Sequence, residues 1–239
     1  MGTLGVTDIA PRERLIVALD VENVAEAEAL VARLGETVSF YKIGLQLQYA
    51  GGIEFARTLR ARGKKVFLDA KLLDIGTTVE KATANIAKLG PNFLTVHAYP
   101  KAIRAAVKAR GNSPMKILAV TVLTDMDDGD LAALGIAGTA RDTVLARARD
   151  AIAAGADGVV ASGADAHAIR AIAPKGLLIV IPAIRRAGDA ANDQARVTTP
   201  ADAIRAGADH IVVGRPINAA ADPKREAEAI VAEIADALG

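Results

Sequence analysis

The chain has 239 residues, of which 51% are hydrophobic and only 3% aromatic, so we expect one large α/β domain with an aliphatic core. Its 29 basic and 28 acidic residues leave a net charge of +1 and form no basic stripe, which argues against nucleic-acid binding. It has no cysteine, which excludes disulfides and thiolate nucleophiles, and no signal peptide or membrane-length apolar run, so we expect a soluble cytoplasmic protein with no membrane partner.

Eight short apolar runs alternate along the chain with longer segments of helical pattern. The runs are continuously apolar, which is typical of parallel strands that are buried on both faces. The predicted strands are residues 15–19, 39–43, 66–68, 93–96, 117–122, 158–161, 178–181 and 211–213.

The sequence also predicts several helix ends. A glycine helix stop followed by a strand occurs twice, in the AGAD sequences at 154–157 and 206–209. Capping residues at helix starts are predicted from Asn23 with Glu26, Thr77 with Glu80, Thr199-Pro200 and Asp222-Pro223.

Eight repeated β/α units predict a (β/α)8 TIM barrel that forms a single domain over residues 1–239. The competing fold, a doubly wound open sheet, lacks support because no glycine-rich turn follows the first strand. Two connections are long, residues 125–138 and 182–198, and loops of that length are often lids or binding loops. We interpret the loop at about 182–198 as a lid.

Polar residues follow the predicted strands, and the carboxyl ends of barrel strands converge on one mouth, where active sites lie. Arginines and a glycine follow strands seven and eight, the usual phosphate corner of such barrels. The sequence therefore predicts a pocket for a small phosphorylated substrate. The polar residues at the strand ends are Asp20, Lys42, Asp69, Lys71, His97, Thr124, Ser162, Arg185, Gly214 and Arg215.

A charged cluster interrupts the apolar third strand. Asp69 and Lys71 are two residues apart, so on an extended strand they point to the same side, and a buried pair of this kind is expected to be either structural or functional. Lys42 and Asp74 favour the functional reading, an alternating chain of four charges at one side of the pocket. An ammonium can protonate a developing carbanion, and we find no motif for a metal or an organic cofactor.

These residues resemble the orotidine 5'-monophosphate decarboxylases of bacteria, nearly end to end. The segment FLDAKLLDIGTT at 67–78 carries the most specific part of the resemblance. It is joined by VALD at 17–20, YKIG at 41–44, TVHA at 95–98, TVLT at 121–124, Ile184-Arg185, DQAR at 193–196 and VGRP at 213–216.

The resemblance implies a cofactor-independent decarboxylation in pyrimidine biosynthesis that yields UMP. Lys71 is then the acid that protonates C6 as CO2 leaves, and Asp69 lies against the substrate carboxylate between Lys42 and Lys71. The resemblance also implies a homodimer in which Asp74 and Thr78 reach the neighbouring subunit's pocket. It further implies that the ribose is contacted by Asp20 and Lys42, the pyrimidine by Thr124, and the phosphate and lid by Arg185, Gln194, Gly214 and Arg215.

Three positions depart from the pattern of the family. Ala183 stands where glycine is usual, and its methyl group is expected to crowd the lid if the position needs a positive φ. Asp125 adds a carboxylate near the base-binding loop, and Gly76 is expected to loosen the turn before a helix. His97 ends the fourth strand without a role assigned to it.

Two other functions compete with this one. The sister enzymes 3-keto-L-gulonate 6-phosphate decarboxylase and hexulose phosphate synthase share the Asp-x-Lys-x-x-Asp pattern, but they use Mg2+ and carry an acidic residue where this chain has Lys42. A non-catalytic phosphosugar-binding protein could share the fold. The intact set of costly buried charges argues against that function.

Overall fold

The computed structural model describes residues 9–185 and 198–239. Within them, eight parallel strands pair in sequence order and close into a barrel, since β8 pairs with β1. This confirms the predicted (β/α)8 architecture and all eight predicted strands. The strands are β1 Leu15–Ala18, β2 Phe40–Ile43, β3 Lys65–Leu72, β4 Phe93–His97, β5 Lys116–Val120, β6 Gly158–Val160, β7 Leu178–Ile181 and β8 His210–Val213.

Helices surround the barrel, and a π-helical segment, Gln48–Gly52, joins two of them. In the described residues, no helix is both long and apolar enough to span a membrane. The helices are α1 Pro11–Arg14, α2 Val24–Leu34, α3 Leu45–Leu47, α4 Ile53–Ala61, α5 Gly76–Ala87, α6 Pro100–Ala109, α7 Asp128–Ala133, α8 Ala140–Ala153, α9 Gly163–Ile172, α10 Pro200–Arg205, α11 Arg215–Asn218 and α12 Pro223–Leu238.

The buried residues form two cores. The larger lies between the barrel and its helices and is mostly aliphatic, as the composition predicts. The smaller fills the barrel interior with one or two side chains from most strands, namely Ile16, Ala18, Phe40, Phe67, Phe93, Leu118, Val180 and Val212. Because side chains alternate along a strand, the residue two positions after each of these also points inward, nearer the mouth.

Most of the predicted helix ends are confirmed. The side chains of Asn23, Thr199 and Asp222 each accept a hydrogen bond from the first turn of their helix. Gly155 and Gly207 follow helices with positive φ, as a glycine stop requires. The predicted cap at Thr77 is wrong, because α5 begins one residue earlier, at Gly76, and has no side-chain cap.

An arginine clamp repeats at the strand pairs β3/β4, β5/β6 and β7/β8. In each copy an arginine from the end of a helix donates to an Asp or Asn side chain just before an even-numbered strand. The same carboxylate or amide oxygen accepts the N–H of the preceding odd-numbered strand, so the clamp ties helix and both strands together. The copies are Arg60–Asn92–Val66, Arg110–Asp157–Ile117 and Arg170–Asp209–Ile179. Two of the acceptors are the aspartates that end the AGAD repeats.

His210 lies buried at the end of the barrel opposite the mouth, against the rings of Phe40 and Phe93. Its Nδ1 is 3.0 Å from the Glu13 carbonyl, and since a carbonyl only accepts, Nδ1 is the donor. Burial lowers the pKa of His210 to about 4, although the Asp209 carboxylate and the bond to Glu13 oppose the shift, and Arg14 and Lys65 add to it.

We therefore expect acid to destabilise the fold through His210. Between pH 6.5 and about 4 the unfolded chain binds a proton that the folded chain does not. As the pH decreases through that window, the free energy of unfolding should fall by about 1.4 kcal/mol per pH unit because of this residue alone. Urea unfolding of the wild type and His210→Gln across the window measures this, and the variant should show the shallower slope. Equal slopes would contradict the assignment.

Candidate active site

One pocket of about 510 Å3 opens at the carboxyl ends of the strands. Its floor is apolar and includes Ala18, Phe67 and Val212 from the inner core. Its walls bring together most of the residues that the sequence predicts to be functional. These are Asp20, Lys42, Asp69, Lys71, Thr124, Arg185, Gly214 and Arg215.

Four charged side chains form a continuous row along one wall. Lys42 Nζ lies 3.0 Å from Asp20 Oδ1 and 3.6 Å from Asp69 Oδ2. Lys71 Nζ lies 2.8 Å from the same Asp69 oxygen. The charges therefore alternate as predicted, but the fourth member within this chain is Asp20 rather than Asp74.

Asp69 is the most enclosed carboxylate of the row, with a side chain only 11% exposed. Burial by itself raises the pKa of this carboxyl. The charges of Lys42 and Lys71, with hydrogen bonds from Lys71 and Thr95, outweigh burial and hold the pKa of Asp69 below its usual value. The site therefore keeps a fixed anion between two cations.

Gly44 leaves room for the charged side chains of this row to approach one another. The sequence alone did not suggest this role for the glycine. A Cβ atom at Gly44 would lie 2.9 Å from Asp20 Oδ1 and 3.0 Å from Lys42 Nζ. Any side chain there would push the two charged groups apart. The glycine of the YKIG segment thus serves the contact between Asp20 and Lys42.

The part of the pocket wall that follows β7 and β8 carries groups suited to binding an anion. Arg185 is buried, and its Nη1 donates to the Ile184 carbonyl at 2.9 Å, which fixes the guanidinium close to the strand end. Gly214 and Arg215 follow β8 and begin α11, also at the pocket wall. Guanidinium groups and backbone amides are good ligands for a phosphate dianion.

A sequence model of the orotidine 5'-phosphate decarboxylase / HUMPS family matches residues 13–230. The chain belongs to this family. It is 58% identical over 230 residues to the orotidine 5'-phosphate decarboxylase of Rhodopseudomonas palustris strain HaA2, covering 96% of this chain and 98% of that protein. It is likewise 58% identical over 229 residues to that of Afipia carboxidovorans, covering 96% and 97%.

Solved structures agree with the family assignment. The crystal structure of orotidine 5'-phosphate decarboxylase from Lactobacillus acidophilus superposes with a TM-score of 0.81 at 37% identity, covering 92% of this chain and 98% of that one. The crystal structure of an uncharacterized conserved protein from Geobacillus kaustophilus superposes with a TM-score of 0.79 at 32% identity, covering 92% of this chain and 99% of that one. The fold and the family thus rest on both sequence and structure.

Two predicted site residues lie outside the pocket of this chain. Asp74 and Thr78 are exposed, and the Asp74 carboxylate accepts a hydrogen bond from the Ile75 N–H at 2.6 Å. They follow β3 next to the exposed apolar side chains of Leu73 and Ile75. Gln194 and most of the predicted lid fall within 186–197, outside the described residues.

The departures from the family pattern have different consequences. Asp125 is exposed and does not line the pocket, so it adds no charge to the pocket wall. A side chain at Gly76 would meet nothing closer than the Ala105 Cβ at 4.0 Å. His97 is half-buried at the end of β4, where burial and the charges of Lys71 and Arg147 lower its pKa against the opposing charge of Asp69.

Ala183 does lie at the pocket, and its φ is +61°. This left-handed conformation suits glycine and costs an L-residue about 1–2 kcal/mol. Ala183 lies at the start of the predicted lid. The two ends of this loop are joined by a hydrogen bond in which the Arg185 N–H donates to the Thr198 carbonyl at 3.1 Å. The methyl group therefore strains the root of this loop.

We expect Ala183→Gly to relieve that strain. Replacing alanine by glycine at an ordinary position lowers stability, because the unfolded chain gains freedom. Ala219, which is exposed with φ of −91°, provides the matched control. Thermal or urea unfolding should find Ala183→Gly more stable than Ala219→Gly by about 1 kcal/mol. Equal losses would show that residue 183 is unstrained.

Proposed function

We propose that this chain converts orotidine 5'-monophosphate to UMP by decarboxylation, without a metal or an organic cofactor. The observation that carries the proposal is the row of Lys42, Asp69 and Lys71 in a pocket that Arg185 and Arg215 also line. Its relatives are named orotidine 5'-phosphate decarboxylases, which supports this substrate.

The substrate spans the pocket from the arginines that follow β7 and β8 to the charge row. Its phosphate binds Arg185, Gly214 and Arg215, together with Gln194 of the loop. Its ribose lies against Asp20 and Lys42, and the pyrimidine extends towards Thr124. This orientation brings the carboxylate on C6 to Asp69 and Lys71.

The reaction breaks the bond between C6 and the carboxylate carbon. CO2 leaves, the electron pair stays on C6, and Lys71 Nζ donates a proton to it to give UMP. The neutral lysine then regains a proton from solvent. Proton, carbon and charge are thereby balanced without an oxidant or a further reactant.

The charge row favours the transition state over the bound substrate. Asp69 repels the substrate carboxylate, and this repulsion is relieved as neutral CO2 departs. At the same time Lys71 faces the negative charge that develops on C6. Interactions that improve only in the transition state are the ones that raise the rate.

The Mg2+-dependent sister activity fits the residues less well. A Mg2+ ion at the centre of the row would have to bind the Asp69 carboxylate. The Lys42 ammonium already lies 3.6 Å from that carboxylate. Within the described residues, no group of three or more His, Cys, Asp or Glu side chains is placed to hold a metal ion. A second ammonium, that of Lys71, would repel such an ion as well.

The proposal includes a homodimer with shared sites. Asp74 and Thr78 are exposed and lie outside their own pocket, next to the exposed apolar side chains of Leu73 and Ile75. Burying this apolar surface against a second copy would carry Asp74 and Thr78 into the partner's pocket. Isologous contacts of this kind are the commonest form of oligomer.

Lys71→Ala tests the proposed acid. The wild type should remove the absorbance of orotidine 5'-monophosphate with EDTA present throughout. Lys71→Ala should lower kcat about 100-fold or more, because proton transfer loses its donor, while UMP binding stays largely unchanged. Lys224→Ala, an exposed lysine on α12, should keep the wild-type rate. A wild type active only on a sugar phosphate with Mg2+ would move the chain to the sister activity.

Mixing two inactive variants tests the shared sites. A dimer of one Lys71→Ala chain and one Asp74→Ala chain has one intact site, so a mixture that exchanges subunits should recover about a quarter of the wild-type rate. A mixture of Lys71→Ala and Asp69→Asn should recover no activity. Asp69 and Lys71 line the pocket of the same chain, so each site of a mixed dimer still carries one of the two changes. Absence of recovery in the first mixture, with mixed dimers shown to form, would contradict shared sites.

A further inference from the structure

The third strand does not run regularly past the site. Leu68 pairs with Leu94 of β4, but the next pair joins Leu72 to Val96. Three residues, Asp69 to Lys71, therefore face the single residue Thr95. This irregularity is a bulge, a feature that often re-aims side chains near active sites.

Thr95 fills the gap that the bulge leaves in the ladder. It is fully buried, and its Oγ1 accepts a hydrogen bond from the Lys71 N–H at 2.9 Å. The same hydroxyl donates to Asp69 Oδ1 at 2.8 Å. A hydroxyl has one proton and two lone pairs, so it makes both bonds at once.

These two bonds act on the two central groups of the charge row. The donation to Oδ1 leaves Asp69 Oδ2 facing Lys71 Nζ at 2.8 Å and Lys42 Nζ at 3.6 Å. The acceptance holds the backbone of Lys71 in a left-handed conformation, φ +47°, that non-glycine residues rarely adopt. Without the hydroxyl, the Lys71 N–H and one Asp69 oxygen would each lose the partner that Thr95 provides.

We propose that Thr95 is a positioning residue for the decarboxylation, which fixes the Asp69 carboxylate and the Lys71 backbone together. This inference rests on the proposed function. Thr95 does not line the pocket and acts through its two neighbours. A threonine that merely filled the strand would not need its hydroxyl.

Thr95→Val removes the hydroxyl and keeps the shape, whereas Thr95→Ser keeps the hydroxyl. We expect Thr95→Val to lower kcat at least about tenfold, as loss of a hydrogen bond to a charged group implies, while the Kd for UMP barely changes. The acid limb of the rate profile should move to higher pH, because Asp69 loses a donor that lowers its pKa. Thr95→Ser should recover most of the rate.

Thr143→Val is the matched control. Thr143 is also buried, but its hydroxyl bonds to the Thr139 carbonyl, at the start of its own helix α8. This variant should change stability without changing kcat. Equal losses in Thr95→Val and Thr95→Ser, or a kcat for Thr95→Val near that of the wild type, would overturn the proposal.

A second readout separates this proposal from the proposed function. Protein labelled with 15N-lysine shows one amide signal for each lysine, and the signal of Lys71 is the one that is missing in Lys71→Arg. This amide hydrogen should exchange with solvent faster in Thr95→Val than in the wild type. If the wild type does not decarboxylate orotidine 5'-monophosphate, the proposed function fails. Thr95 is then judged on the amide alone, and unchanged exchange would overturn it.

Discussion

The enclosed carboxylate of Asp69 sets the conditions that the rest of the site meets. A buried ion is energetically costly unless opposite charges and hydrogen-bond donors surround it. Two ammonium groups face one of its oxygens and a threonine hydroxyl binds the other. Each of those groups is itself held, Lys42 by Asp20 and Lys71 by the bulge. The result is a set of charges fixed before any ligand binds, which is the arrangement that stabilises a transition state without reorganisation.

The barrel supplies this arrangement by a simple alternation. The inward apolar residues Ala18, Phe40 and Phe67 form part of the inner core, and two residues later on each strand come Asp20, Lys42 and Asp69. The hydrophobic floor and the charged wall are therefore successive layers of one pattern. A slip of one residue in any strand would turn its charge towards the helices, so the packing of the core also fixes the site.

Much of this was predictable from the sequence. Continuous apolar runs marked all eight strands, and the polar residues after them marked the mouth, because both signals are local. The bulge was not predictable, since the segment from Asp69 to Lys71 reads as ordinary strand and only its pairing with Thr95 reveals the irregularity. The place of Asp20 in the charge row depended on the close approach that Gly44 permits. The cap predicted at Thr77 was wrong because α5 begins one residue earlier, at Gly76.

Backbone strain in the described residues is concentrated at this pocket. Two non-glycine residues there have positive φ, Lys71 and Ala183, and both line it. Strain of this kind persists only where the surroundings over-determine it. For Lys71 the surroundings are plain, since Thr95 and Asp69 both bind it and a glycine could not carry the ammonium group. For Ala183 no such bond requires the methyl group. The first strain is thus tied to the chemistry of the site, whereas the second could be removed without loss of any functional group.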